Sequence, residues 1–294
     1  MSNPQFDAAK RPIHLLTPEG WSRVQLGALL DRVDAIRQAP GVGAVIGGGA
    51  PLRVMPLLYT QEASGHAVLD QAAAWRGWRI VPPPAQLDAR RDTPARIAEW
   101  GEAVDLLVMA HPASGAAHAV AAQVRHGMCV INMLDGRHAA PLAAIADVAS
   151  LRRRLPDLNT RVLVLCGDLV GDARLRSVIH MLTTLGVPRV SVVHAGSSLP
   201  DGAAQLGVHV FNATESAMAY ESADAILTFG SAGSLVALHP VAEGSQPAQV
   251  DAPMVLHGAR AHAPIDAGLA DHGSSTRDQA CVLLAAADML TGRE

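Results

Sequence analysis

Apolar positions first recur at helical spacing in Leu26, Leu29, Leu30, Val33 and Ile36, one face of a helix that Ser22 caps and Pro40-Gly41 stops. Short apolar runs and helical patterns then alternate. Strands are predicted at Arg53–Tyr59, Trp78–Val81, Val104–Met109 and Met128–Asn132, and helices at Ser64–Arg76, Pro94–Ala103, Gly115–His126 and Pro141–Arg154. After Arg152-Arg153-Arg154, read as a solvated helix end, the pattern restarts. The second half has a strand at Arg161–Cys166, a helix at Asp172–Leu185, and strands at Arg189–Val193, Val208–Phe211, Ala225–Phe229 and Pro253–Leu256. A helix at Thr276–Leu290 follows. Continuous apolar strands between helices are the mark of parallel βαβ units covered on both faces, so the fold class is α/β, in two domains of similar size joined near residue 155.

The chain has 294 residues, of which 49% are hydrophobic and 3% aromatic, so two ordinary cores must be built from aliphatic side chains. The formal charge of −4, with no basic run interleaved with aromatics, argues against nucleic acid as a partner. No apolar run reaches membrane-spanning length, and the polar start through Arg11 carries no apolar stretch of a signal peptide, so no membrane partner is expected and a cytoplasmic location is. Cys129, Cys166 and Cys281 are far apart and form neither a disulfide framework nor a metal spacing.

Several motifs fail on inspection. Gly41 to Gly47 resembles a dinucleotide loop, but its third glycine comes one place late and a strand follows it. Lys10 is the only lysine, which excludes a phosphate-binding P-loop. The thirteen histidines do not pair at ligand spacing, so neither metal nor cofactor is expected. Two local features remain. Ser64-Gly65-His66 opens a helix after a strand, where free N–H groups suit an anion. Cys166-Gly167-Asp168 ends the first strand of the second half, where α/β sheets present their crevice.

Four segments in order resemble the aspartate/ornithine carbamoyltransferases: His14-Leu15-Leu16-Thr17-Pro18-Glu19-Gly20-Trp21, Val108-Met109-Ala110-His111-Pro112, Ile131-Asn132-Met133-Leu134-Asp135-Gly136 and Cys166-Gly167-Asp168-Leu169. The resemblance implies two doubly wound parallel-sheet domains, a first over residues 1–153, completed by a last helix at 274–294 that packs back on it, and a second over 154–273. It also implies carbamoyl phosphate on the first domain, an amino acid on the second, and a trimer with sites between subunits.

The resemblance breaks at the chemistry. The family's phosphate-cradling Ser-Thr-Arg-Thr-Arg corresponds to Glu62-Ala63-Ser64-Gly65-His66, the arginine before its His-Pro to Ala110, and its His-Pro-Thr-Gln to Ala140-Pro141-Leu142-Ala143. The mobile-loop lysine falls near Asp88-Ala89. The substrate-carboxylate arginines fall at Ala173, next to Arg174, and at Gly230, and the His-Pro-Leu-Pro-Arg segment is reduced to His257-Gly258-Ala259-Arg260. Holding a dianion takes several charge-assisted bonds of about 1.5–3 kcal/mol each, so ordinary carbamoyl transfer is not expected.

Three functions fit: a non-catalytic subunit of a homo- or hetero-oligomer with a second transcarbamoylase-like chain, a rewired enzyme on a small amino-acid-like substrate, or a metabolite sensor. Catalytic candidates are Glu62, His66 and His111. Ligand-binding candidates are Ser64, Gly65, His66, His111, Asp168, Arg174, Arg176 and His257. Asp135 and Asp147 are read as scaffold residues.

Overall fold

The computed structural model describes residues 3–39, 50–60, 63–125, 127–196, 207–220, 223–230, 254–257, 270–271 and 275–292. The glycine-rich segment at 41–47, together with Glu62, lies outside the described residues.

The first half forms α1 (Arg23–Gln38), β1 (Arg53–Leu58), α2 (Ala63–Arg76), β2 (Arg79–Ile80), α3 (Pro94–Gly101), β3 (Leu106–His111), α4 (Ala116–Ala121), β4 (Cys129–Asp135) and α5 (Pro141–Arg154). Its four strands pair in parallel in the order β2-β1-β3-β4. The second half forms β5 (Val162–Gly167), α6 (Ala173–Leu185), β6 (Arg189–His194), β7 (His209–Asn212), α7 (Ser216–Tyr220), β8 (Ala225–Thr228), β9 (Met254–His257) and β10 (Ala270–Asp271). These six strands also pair in parallel, in the order β10-β9-β8-β5-β6-β7. The expected α/β class with two doubly wound parallel sheets is what the chain adopts.

Local chemistry accounts for the boundaries. Ser22 caps α1 in a capping box with Gln25, and Leu26, Leu29, Leu30 and Val33 are buried. Thr93 caps α3 with Pro94 just inside it, Asp172 caps α6, and Gly186, at φ +81°, ends α6. All six residues of β3 are buried, as a strand covered on both faces requires. The last helix, α8 (Thr276–Thr291), is capped by Ser275 and packs against α1, α2, α5 and β4. Ala280 through Ala287 are each at most 1% exposed, so the end of the chain completes the first core.

One expectation is corrected. Arg152 and Arg153 do not form a merely solvated helix end: Arg152 pairs with Asp31 and Asp34 at 2.8 and 2.6 Å, and Arg153 with Asp34 and Asp278 at 3.0 and 3.4 Å, tying α5 to α1 and α8. The polar start is also anchored. The fully buried Gln5 side chain accepts from Leu16 N, Thr17 N and Trp21 Nε1 and donates to the Glu19 carbonyl, fixing the segment that leads into α1. Among the described residues no helix is long and apolar enough to cross a membrane.

Candidate functional site

In an open parallel sheet the crevice opens beyond the C-terminal strand ends, where the strand order reverses. In the first sheet this point lies between β1 and β3, and in the second between β5 and β8.

At the first point, Tyr59 N donates to the Ala110 carbonyl at 2.8 Å, and the Tyr59 and His111 rings meet edge-on with centroids 4.8 Å apart. The Tyr59 hydroxyl donates to buried Asp92 at 3.1 Å, and Asp92 also accepts from Asp88 N at 2.9 Å. Burial and the Asp92 hydrogen bond together push the Tyr59 phenol well above its ordinary range. His111 is buried, and its Nδ1 accepts from Ala113 N at 3.0 Å, which assigns the ring proton to Nε2. Burial lowers the His111 pKa.

Beside it, β4 ends in a tight turn. Asp135 is fully buried and accepts from Gly115 N at 3.0 Å and Ala139 N at 2.8 Å. Gly136 N donates to the His111 carbonyl at 2.8 Å. Gly136 has φ +53°, and a Cβ there would lie 2.7 Å from the Pro112 carbonyl oxygen, so only glycine fits. His138 Nδ1 lies 3.2 Å from both Asp135 oxygens, and that hydrogen bond raises its pKa. The ring of His118, on α4, meets that of His138 edge-on at 5.3 Å. Among the described residues His118 Nδ1 is buried without a hydrogen-bond partner, a situation that costs roughly 1–3 kcal/mol, and burial lowers its pKa.

At the second point, Gly167 ends β5 with room only for hydrogen: a Cβ would meet Leu175 Cδ2 at 3.0 Å and Phe229 Cβ at 3.1 Å. Asp168 accepts from Val170 N at 2.9 Å, and backbone hydrogen bonds, Gly171 first, hold its carboxyl below the ordinary range. Buried His194, at the end of β6, accepts from Leu169 N at 3.2 Å.

The sequence-predicted residues separate on this geometry. His111, Asp168 and Arg176 stand at the crevice: Arg176 lies within electrostatic reach of Asp172, Asp168, Arg137 and Asp135, so the β4–α5 and β5–α6 turns face each other. Arg176 donates to the Leu169 and Val170 carbonyls at 2.7 and 2.8 Å. Arg174 is turned onto the scaffold, clamping fully buried Asp147 of α5 through two bonds of 2.5 Å. Gly65 lies in the first turn of α2 above Leu58 and Met133, and His66 is exposed. Ser64 begins α2 and His257 ends β9, but their side chains lie outside the described residues. The sequence reading overlooked His118, His138, His194 and Tyr59. A thiol nucleophile is excluded, since Cys129, Cys166 and Cys281 are buried and burial pushes the first two up to about 11.

No family model matches the chain. Solved structures do. Aspartate transcarbamoylase from Trypanosoma cruzi in complex with carbamoyl phosphate and aspartate is 17% identical, with a TM-score of 0.69 over 98% of each chain. The fold is that of the aspartate transcarbamoylases. The same enzyme in complex with N-(phosphonacetyl)-L-aspartic acid matches with a TM-score of 0.68 and 16% identity over 97% of this chain and 98% of that one. Its ligand-free form gives 0.67 and 15% over 98% of each. The transcarbamoylase fold therefore extends over nearly the whole chain, including the last helix packed on the first sheet's helices.

Proposed function

We propose that this chain keeps the transcarbamoylase fold while having lost ordinary carbamoyl transfer, and that it serves as a non-catalytic subunit of an oligomer with a second transcarbamoylase-like chain. The observation that carries this reading is how the two arginines at the start of α6 are used. Arg174 is committed to buried Asp147, and Arg176 to two backbone carbonyls. The segment where the resemblance puts the phosphate cradle has Glu62 and His66 and no arginine, and Ala140-Pro141-Leu142-Ala143 carries no side-chain donor. Losing a single preorganised donor to a developing oxyanion costs about a hundredfold or more in rate, and here the donors are missing together. The division into 1–153 with 274–294, and 154–273, belongs to this reading.

A second reading has one observation in its favour. His111, His138, Asp168 and Arg176 face one crevice, a suitable lining for a small amino-acid-like ligand, whether turned over or only sensed. The native mass of the chain purified from its own host, with associated proteins identified, separates the two. The subunit reading predicts a stoichiometric transcarbamoylase-like partner. A homo-oligomer without a partner, melting at higher temperature in the presence of an amino-acid metabolite, would replace it with the second reading.

A further inference from the structure

His118, Asp135 and His138 come together at the C-terminal edge of the first sheet, and one ligand-type atom from each lies within 4.8 Å of the other two. We propose that these three side chains bind a divalent transition-metal ion of the zinc class, with the fourth position left to water. This goes beyond the subunit reading and does not depend on it.

Three features carry the proposal. The first is spacing. Tetrahedral zinc with bonds of about 2.0–2.2 Å holds its ligand atoms roughly 3.3–3.5 Å apart. His138 Nδ1 and the Asp135 oxygens are already 3.2 Å apart, and a ring nitrogen of His118 lies within 4.8 Å of both partners. The second is the His118 Nδ1 itself, a buried nitrogen without a hydrogen-bond partner among the described residues. A metal ion would supply the missing partner. The third is rigidity around the carboxylate. Gly115 N and Ala139 N fix Asp135, and Gly136 lets the turn close against Pro112 and Ser114, so the outer shell that orients a ligand is in place.

The donor set decides the class of ion. Two imidazoles and one carboxylate suit zinc and its neighbours, whereas magnesium and calcium take oxygen ligands. Asp135 and Glu19 both bear electrostatically on the two histidines and would offset the cation's charge, while Arg176 opposes it from across the crevice. Linear spacing hides the site, because His118 comes from α4, Asp135 ends β4 and His138 lies in the turn that follows.

The test is a titration of tag-free, chelator-treated protein with cobalt(II), followed by visible absorption, and with zinc(II), followed by calorimetry. One equivalent is expected to bind at micromolar concentration, with the cobalt bands lost when zinc is added. His118→Ala and His138→Ala should each weaken binding by about 10–100-fold or more, and the double variant should abolish it. His209→Ala, an exposed histidine of β7, serves as the control and should bind as the parent does. Far-UV circular dichroism checks that each variant is folded, with His118→Asn and His138→Asn replacing any that is not. Absence of saturable binding in the parent, or stoichiometric binding that survives in the folded double variant, would overturn the proposal. Neither result bears on the native mass or the partner.

Discussion

Arg174 is the residue on which the sequence reading and the geometry differ most, and its removal has a calculable consequence. The guanidinium lies across a carboxylate that is 0% exposed and holds it with two bonds of 2.5 Å, while its own side chain remains 19% exposed. Stripping the cation from a buried pair costs about 3–5 kcal/mol, because the remaining charge stays desolvated. The partial exposure of Arg174 places the expectation for Arg174→Ala at the lower end, about 3 kcal/mol. At about 2–4 °C per kcal/mol for a chain approaching this size, the melting temperature should fall by roughly 6–12 °C. Arg174→Lys should lie in between, since an ammonium cannot reproduce the two-bond fork. Replacing both partners, in Arg174→Met with Asp147→Leu, should return to within about 1 kcal/mol of the parent, because no buried charge is left over. Urea unfolding followed by circular dichroism measures all four, and the cycle should show a coupling of at least about 2 kcal/mol. An Arg174→Ala variant within about 0.5 kcal/mol of the parent would refute the clamp and return Arg174 to the set of ligand-binding candidates.

Further expectations follow from other positions. Burial holds buried His14 down to about 4 against an ordinary 6.5, while its Nδ1 accepts from Val130 N. Because the folded value lies below the unfolded one, unfolding takes up a proton. His14 therefore contributes fully above about pH 6.5 and loses up to about 3 kcal/mol as the pH falls to about 4, so His14→Gln should flatten the dependence of unfolding free energy on pH over that window. Gly136→Ala should cost at least about 2 kcal/mol in a denaturant melt, since its Cβ would strike backbone. Gly101→Ala should stay within about 1 kcal/mol of the parent, since its Cβ meets the movable end of Met128 and the helix gains propensity. Cys129, Cys166 and Cys281 should resist a thiol reagent in the native protein and all react in urea, and rapid native labelling would contradict their burial.

Much of the fold was legible because its signals are local. Ser22 and Gln25 announce α1, Thr93-Pro94 announces α3, and strands buried on both faces read as unbroken apolar runs. Elements with little local signal escaped: β10 has two residues and α7 has five. So did contacts made at a distance. Nothing near Gln5 shows that a polar side chain will be fully buried, and nothing near Arg152 points to Asp34 on another helix. The crevice was legible in part for the same reason. His111 and Asp168 follow strands and could be placed at strand ends, whereas the pairing of Arg174 with Asp147 needs α5 and α6 side by side. His118, Asp135 and His138 meet only once α4 and the turn after β4 have folded against each other.

The central claim is that a scaffold shared with aspartate transcarbamoylases has lost the groups that hold their substrates. N-(phosphonacetyl)-L-aspartic acid tests it most directly, because an aspartate transcarbamoylase of this fold binds it in one matching structure. Calorimetric titration of the purified chain with this compound should show no saturable heat at micromolar concentration. Stoichiometric binding at that concentration would mean that a dianion site survives, and would contradict the account.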